Sequence, residues 1–371
     1  MQKIVIISSF SERTPATFLK EAYVQLGHKV ISIGSGPAKY VDIQRSGGFS
    51  LKPILKTLGI DPDLCIFVEG GEMDVFPVDI SELPGVKVWW GIDTPYAPGK
   101  HRNINRLFDI AFLAQMNYVE QFIKEGQINV RWLPLAFPDY AHLSQSTERS
   151  IDIAYVGTLD RRSYSNRARL LDLVRDSVAN TVVETQTPDE MLKTYSKAKL
   201  VFNFSLADDL NMRYFEAIGC GAILVTNRIA NPGVEQIFKL NKNIFFYETD
   251  QELIATIESL LDNPSFISKQ ARLNSQLVAE KHLYTHRADE ILEIASAKVT
   301  KAVVQTSNYL PAIIDMNFFS MSLMLFRKSL YESRRGSFSR IQFFFLNPLL
   351  LLSISVAKSL EVLRRNFHGK R

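Results

Sequence analysis

The stretch that most constrains this chain runs from Lys199 to Asn227, KLVFNFSLADDLNMRYFEAIGCGAILVTN. Leu200 to Phe204 is a short apolar run rich in β-formers and reads as a buried strand. A polar loop, Ser205 to Leu210, leads into Asn211-Met-Arg-Tyr-Phe-Glu-Ala-Ile-Gly219. That segment reads as a helix with Asn211 as its N-cap, because an Asn side chain can accept from the first free N–H groups. Gly219 and Gly221 end the helix, and Ala222 to Val225 form a second strand. Strand, loop, helix and strand make a βαβ unit, so the two strands are expected to be parallel.

The unit also fixes where chemistry can sit. Its loop and helix N-terminus lie at the carboxyl edge of the sheet, where open α/β sheets bind ligands. Unpaired backbone N–H groups and the helix dipole favour an anion there, typically a phosphate. Arg213, in the first helical turn, suits that phosphate. Asp208 and Glu216, separated by seven residues, cannot bind a phosphate but suit the hydroxyl donors of a ribose or a sugar. Together they point to a site for a sugar nucleotide. A solvated helix carrying two unremarkable acids is the alternative reading of the same residues.

This stretch resembles the donor-site motif of retaining GT-B glycosyltransferases, in which two Glu residues are separated by seven others. Glu216 matches the second Glu, and Asp208 stands at the position of the first, with Asp209 beside it competing for that place. The run Asn211-Met-Arg-x-Phe-Glu-Ala-x-x-Cys-Gly-Ala is similar to the CgeB-like, spore-maturation branch of these enzymes. The resemblance implies that Glu216 holds the nucleotide ribose and Asp208 meets the donor sugar. It covers about residues 1 to 297, most specifically 151 to 227.

With 371 residues the chain is long enough for two domains. Lys3 to Ile7 opens as a buried strand, Thr14 to Leu26 follows as a helix and Lys29 to Ile33 as a second strand, a doubly wound start. The Ser8-Ser9-Phe10-Ser11 loop lacks the glycines of a dinucleotide fingerprint, which excludes NAD binding by that route. Residues 34 to 50 are Gly- and Ser-rich and read as a mobile loop. Two strands, Asp63 to Glu69 and Val86 to Trp90, deliver Glu69 and Gly91-Ile92-Asp93-Thr94-Pro95 to one sheet edge. The Trp-Trp-Gly-Ile-Asp-Thr-Pro run resembles the segment that lines the cleft in CgeB-like proteins. Asp93 could act as a base toward an acceptor hydroxyl, bind one, or form the turn before Pro95. His101 reads as a surface residue. Arg131 to Tyr140, with the polar run up to Ser150, reads as the crossing into a second half.

Ile151 to Val156 opens that half as a strand ending in Gly157-Thr158-Leu159-Asp160-Arg161-Arg162. Gly157 would let backbone approach a ligand closely. Arg161 and Arg162 either cover the cleft or are solvated at a helix start; the resemblance gives a basic residue here the donor diphosphate. Fixed cations would stabilise that departing group. No Asp-x-Asp metal motif stands at a strand end, which fits a metal-independent transfer. Gln186 sits in a turn with a possible nucleobase contact, ahead of a helix capped by Thr187 with Pro188 at its first position.

Charge is unevenly spread. From Lys298 to Arg371 twelve Lys and Arg stand against three acids, so with a chain total of +4 this tail carries +9 and the remainder −5. The run Phe343 to Leu352 is strongly apolar but interrupted by Asn347-Pro348, short of the about 20 residues a spanning helix needs. Three readings of the tail stay open: an interfacial segment on anionic lipid through 313–371, a surface packing on the body or a second subunit, and a span. Its arginines accompany aliphatic runs, which argues against a nucleic-acid partner. Cys65 and Cys220 sit in apolar segments, as buried thiols of a reducing compartment do. No secretory signal is visible, and the cytoplasm is expected, with peripheral attachment to the membrane's inner face.

The expected architecture is α/β: two Rossmann-like doubly wound domains of the GT-B kind, 1–140 and 151–297, and a helical, basic and apolar tail, 298–371. The expected activity is sugar transfer from a nucleotide-sugar donor to a glycan, lipid or protein acceptor. Asp93 and Asp208 are the catalytic candidates. Gly157, Arg161, Arg162 and Gln186, with Asn211, Arg213 and Glu216, are the donor-binding ones. No metal or cofactor is expected beyond the nucleotide-sugar co-substrate, and the oligomeric state is open. The competing expectation is a non-catalytic scaffold of the same fold anchored by its tail.

Overall fold

The computed structural model describes residues 1–69, 74–139, 148–162 and 164–299. The tail from residue 300, the Gly70-Gly71-Glu72 loop and most of the expected crossing at His142–Ser150 lie outside the described residues, so the readings made for them are not taken further from structure.

The first half runs β1 (Lys3–Ser9), α1 (Pro15–Gln25), β2 (Lys29–Ser35), β3 (Ile43–Gln44), β4 (Gly47–Phe49), α2 (Lys52–Leu58), β5 (Leu64–Glu69), β6 (Val75–Pro77), β7 (Val86–Gly91), α3 (Pro98–Ile104), β8 (Ile110–Leu113), α4 (Met116–Lys124) and β9 (Val130–Trp132). The second half runs β10 (Ile151–Val156), α5 (Ser165–Ser177), β11 (Thr181–Glu184), α6 (Pro188–Lys197), β12 (Ala198–Asn203), α7 (Met212–Gly219), β13 (Ile223–Asn227), α8 (Gly233–Ile237), β14 (Ile244–Tyr247), α9 (Asp250–Leu261), α10 (Pro264–Lys281) and α11 (Tyr284–Val299).

Among the described residues the strands form a seven-stranded sheet, β3-β2-β1-β5-β7-β8-β9, and a five-stranded one, β11-β10-β12-β13-β14. Every pairing in both is parallel. Burial on both faces explains the continuous apolar runs of β5 and β12. Each sheet has one switch point, where successive strands depart in opposite directions. These lie between β1 and β5 and between β10 and β12. Crevices form at the carboxyl ends there, so topology alone selects the loops after these four strands as the ligand edge. The two sheets, wound in this way, are the two doubly wound α/β halves expected from the sequence.

Local chemistry sets the helix starts. Thr187 and Glu190 form a capping box ahead of α6, with Pro188 in its first turn, and Thr249 and Glu252 do the same for α9. Asn211 caps α7 by accepting from Arg213 N at 3.1 Å. Three local expectations fail. Residues 34–50, read as a loop, contain β3 and β4, and β4 pairs in parallel with β6. The segment from Arg131, read as a linker, begins inside β9, which closes the edge of the first sheet. Both are short strands that only a neighbour completes. His101 is fully buried inside α3 rather than on the surface. Cys65 and Cys220 are free and buried as expected, and burial pushes the Cys65 thiol up to about 12.

The halves share one apolar core that runs from β1 and α1 through 133–137 to α7 and α11. α11 turns back onto the first half: Tyr284 lies against Phe18 and Trp90, with ring centres 5.2 and 6.3 Å apart. The outgoing segment 133–137 and the returning segment 282–287 run side by side. Phe137 N donates to His282 O at 2.8 Å, Tyr284 N donates to Phe137 O at 3.2 Å, and buried Arg287 donates to Pro134 O at 2.8 Å. Among the described residues no helix is long and apolar enough to cross a membrane.

Phe137 also changes the meaning of Gly219. This glycine was read as a helix terminator, yet it is the last residue of α7; a Cβ on it would stand 2.5 Å from the Phe137 ring. The terminator is Gly221, at φ +81. Gly219→Val is therefore expected to destabilise the protein by about 3 kcal/mol through overpacking, read from the denaturant midpoint. A midpoint within experimental error of wild type would remove this contact from the argument.

Candidate functional site

The carboxyl edges of the two sheets supply the site. From the first half come Arg13 after β1, Glu69 at the end of β5, Asp93 and Thr94 after β7, His101 on α3 and Gln115 after β8. Strand register sets the last two loops side by side, because Gly91 pairs with Leu113 and Ala114 N donates to Gly91 O at 3.0 Å. From the second half come Gly157 after β10, the loop 205–210 after β12, and Glu216 on α7.

Glu69 and His101 are buried, with Oε2 and Nε2 3.1 Å apart. His101 Nδ1 meets the Thr94 hydroxyl at 3.0 Å, and Asp93 N donates to Glu69 Oε2 at 3.4 Å. The Asp93 carboxyl is pushed up to about 6, first by burial and then by the Glu69 charge, with His101 pulling the other way. Asp209 is pushed up to about 7 by burial and then by the charge of Asp93, opposed by a hydrogen bond from Gln115. The two aspartates, one from each half, thus feel each other's field.

The neighbouring acids Asp208 and Asp209 make contacts in different places. The loop before α7 passes through left-handed backbone at Ala207 (φ 50) and Asp208 (φ 58). Asp208 Oδ1 accepts from Ala230 N at 2.8 Å, and the side chain lines an open groove of about 510 Å³ with Arg169, Phe204, Arg228 and Tyr247. Asp209 points instead to the first half, where Gln115 Nε2 donates to its Oδ1 at 2.5 Å.

Glu216 is 4% exposed, and Arg13 Nη2 reaches to 3.7 Å of its Oε1 from the other half. Burial raises the Glu216 carboxyl, while Arg13 and Arg213 lower it. Arg213 is not a free phosphate cation. Its Nη1 donates to Asn203 Oδ1 at 2.7 Å, Nη2 to Val156 O at 2.9 Å and Nε to Tyr195 OH at 3.2 Å, and it stacks over Tyr155 at 4.5 Å. Gly157 makes room for it, since a Cβ there would stand 2.6 Å from Arg213 Nη2. Arg161 is exposed and paired bidentately with Asp172 at 2.7 Å. Arg162 is exposed as well, its N–H donating to Asp160. Gln186 is held by Glu184 and Thr194, both at 2.9 Å. Among the described residues no cluster of three or more His, Cys, Asp or Glu could hold a metal ion.

Arg13, Gln115 and His101 escape the sequence reading because no local pattern marks them. Asp209 was visible only as a competitor of Asp208. Glu69 had a signal, an acid closing an otherwise apolar strand.

Raised carboxyl values carry a stability cost at neutral pH. A native aspartate with a pKa above its unfolded value of about 3.9 favours folding below that value. The contribution is lost as pH rises through about 6 for Asp93 and about 7 for Asp209. Asp93→Asn and Asp209→Asn are each expected to be more stable than wild type at pH 8, by about 1–2 kcal/mol, with the advantage gone at pH 4. Melting curves across that range check this, and a pH-independent difference would contradict it.

Residues 143–293 match the family described as glycosyl transferase-like. No match was found among curated protein sequences. Among solved structures, HepE of Anabaena in complex with UDP and glucose is 13% identical, with 80% of this chain and 100% of that one covered at a TM-score of 0.57. An alpha-glucosyltransferase in complex with UDP is 12% identical over 80% of this chain and 100% of its own, at 0.56. Sucrose-phosphate synthase from Thermosynechococcus elongatus is 12% identical over 81% and 100%, also at 0.56. At these identities the likeness is one of fold. Over residues 143–293 the chain therefore matches a glycosyl transferase-like family, and over about four fifths of its length it has the GT-B fold of these solved structures.

Proposed function

We propose that the protein transfers a sugar from a nucleotide sugar, bound on the second half, to a hydroxyl of a glycan, lipid or protein acceptor held by the first half. The observation that carries this reading is Glu216: a nearly buried carboxylate at a switch-point edge, beside a cation from the opposite half. A carboxylate accepts two hydrogen bonds from the vicinal hydroxyls of a ribose, and a dry site strengthens them. UDP is the first nucleotide to test, since HepE and the alpha-glucosyltransferase were solved with it.

In the reaction the acceptor oxygen bonds to the anomeric carbon on the same face from which the diphosphate oxygen departs, as the bond from that carbon to the diphosphate oxygen breaks. The electron pair leaves with the nucleoside diphosphate. Asp93, with a value of about 6, is largely ionised at pH 7 and takes the acceptor proton. Arg161 and Arg162 are the exposed cations that follow Gly157. Arg161 can leave Asp172 at small cost, because water screens an exposed ion pair. Arg213 then acts indirectly, by bracing the Gly157 backbone and the α7 N-terminus at the phosphate position. Gln186 would border the nucleobase, and Asn211 fixes the first turn of α7.

Retention of configuration and membership of the CgeB-like branch are part of this reading and rest on the resemblance of residues 208–222; metal independence rests on the lack of an Asp-x-Asp motif at a strand end. The place of work rests instead on composition: a cytoplasmic enzyme whose basic, apolar tail holds it to an anionic membrane surface. The test is a thermal-shift screen of the full chain against UDP, GDP, dTDP, ADP and CMP and their common sugars. One nucleotide family should raise the midpoint by the binding term RT ln(1 + [L]/Kd), and its sugar form should be consumed. A folded protein that responds to none would refute the reading and favour a non-catalytic scaffold.

A further inference from the structure

We infer that Asp209, rather than Asp208, is the carboxylate that meets the donor sugar opposite Asp93, and that Gln115 is the positioning residue that presents it. For its substrate this rests on the transferase reading above; for its geometry it does not.

Gln115 belongs to the first half and is fully buried, yet its amide group is given over to the second half. Its Nε2 donates to Asp209 Oδ1 at 2.5 Å. Its Oε1 accepts from Leu210 N at 2.9 Å and from Asn231 Nδ2 at 2.8 Å. Asn231 in turn donates to Asp208 O at 3.3 Å and accepts from Gly233 N at 3.0 Å. Gly233 packs on the first half as well, where a Cβ would stand 2.7 Å from Trp132. One side chain with a donor and an acceptor at fixed span therefore pins the loop before α7 to the loop after β13. Glu lacks the donor, and Met of similar length lacks both.

The left-handed backbone at Ala207 and Asp208 sends neighbouring carboxylates to different places. Asp208 turns to Ala230 and the groove by α5 and α9. Asp209 turns to Gln115, whose strand end adjoins that of Asp93. Glu69 and His101 face Asp93; Tyr96 and Tyr214 face Asp209, and Arg167 reaches Tyr96. Two carboxylates converging on the sugar position favour a neutral sugar rich in hydroxyl donors and repel a uronic acid.

The experiment has two arms on the full chain. Carbon-13 carboxyl NMR of aspartate-labelled protein, titrated from pH 4 to 9, reads the pair without substrate. Asp93→Asn should lower the apparent pKa of Asp209, and Gln115→Met or Gln115→Ala should raise it, because the bond that favours the carboxylate is gone. Asp208→Asn should move it less than either. In the second arm, UDP-glucose should bind wild type at least about tenfold more tightly than UDP-glucuronic acid. Asp209→Asn should narrow that ratio more than Asp208→Asn does.

An Asp209 titration indifferent to both Asp93→Asn and the Gln115 variants overturns the inference, as does a ratio governed by Asp208. If neither uridine sugar binds wild type, the transferase reading for uridine donors fails. The titration alone then decides the role of Gln115 and Asp209.

Discussion

Asp93→Asn is expected to lower donor turnover by about 10²–10⁴-fold while nucleotide affinity stays within a few-fold of wild type. The variant keeps the size of the side chain and its place after β7. Glu69 Oε2 still accepts from the backbone N–H at position 93, so the loop is not released. What disappears is the group able to take the acceptor proton. The wild-type pH profile of kcat/KM should therefore rise through about pH 6, the value to which burial and Glu69 push this carboxyl. The asparagine variant should lose that limb. Asp209, with a value of about 7, adds a second, coupled step, so the observed limbs belong to the pair. Initial rates of donor consumption between pH 5 and 9, measured beside calorimetric nucleotide binding, check both statements. A variant within tenfold of wild type at saturating donor would end the case for Asp93 as the base.

Glu216→Ala acts on the other side of the reaction. It is expected to weaken nucleotide binding by about 10²-fold, which corresponds to two charge-assisted hydrogen bonds to the ribose at about 1.5 kcal/mol each. The fold should survive. Glu216 is 4% exposed and burial already disfavours its charge, so its loss removes a desolvated group rather than a stabilising one. Arg13, whose side chain is 33% exposed, can turn to water once its partner is gone. The readout is a pair of melting curves, with and without the nucleotide that wild type binds. An unchanged apo midpoint with the ligand-induced rise abolished is the expected pattern. A rise equal to that of wild type would detach Glu216 from the nucleotide and take the proposed function with it. Because the two variants separate binding from turnover, their failures can be told apart.

The sequence by itself determined what depends on near neighbours. The βαβ unit of β12, α7 and β13, the Asn211 cap, the Thr187 capping box and the left-handed Gly221 all follow from side-chain patterns and backbone preferences within a few residues. So did the ligand edge, since the carboxyl ends of parallel strands are fixed once the strands are. It also singled out Asp93 and Glu216 as candidates, because acids beside apolar strands and helices stand out locally. Spacing named Asp208, and the fold turns its carboxylate to Ala230 while sending that of Asp209 to Gln115. The reason is the left-handed backbone held in place by Gln115, a residue from the other half. Arg213 was read as a free cation because a sequence does not display the carbonyl of Val156 or the amide of Asn203 waiting for it. Gly219 owes its place to the Phe137 ring, and buried His101 to Glu69 and Thr94. Short strands such as β3, β4 and β9 carry too few residues to declare themselves and exist only through their pairing. Tertiary structure alone decided which acids share a field, because desolvation and charge coupling depend on distance in space, and distance along the chain does not encode it.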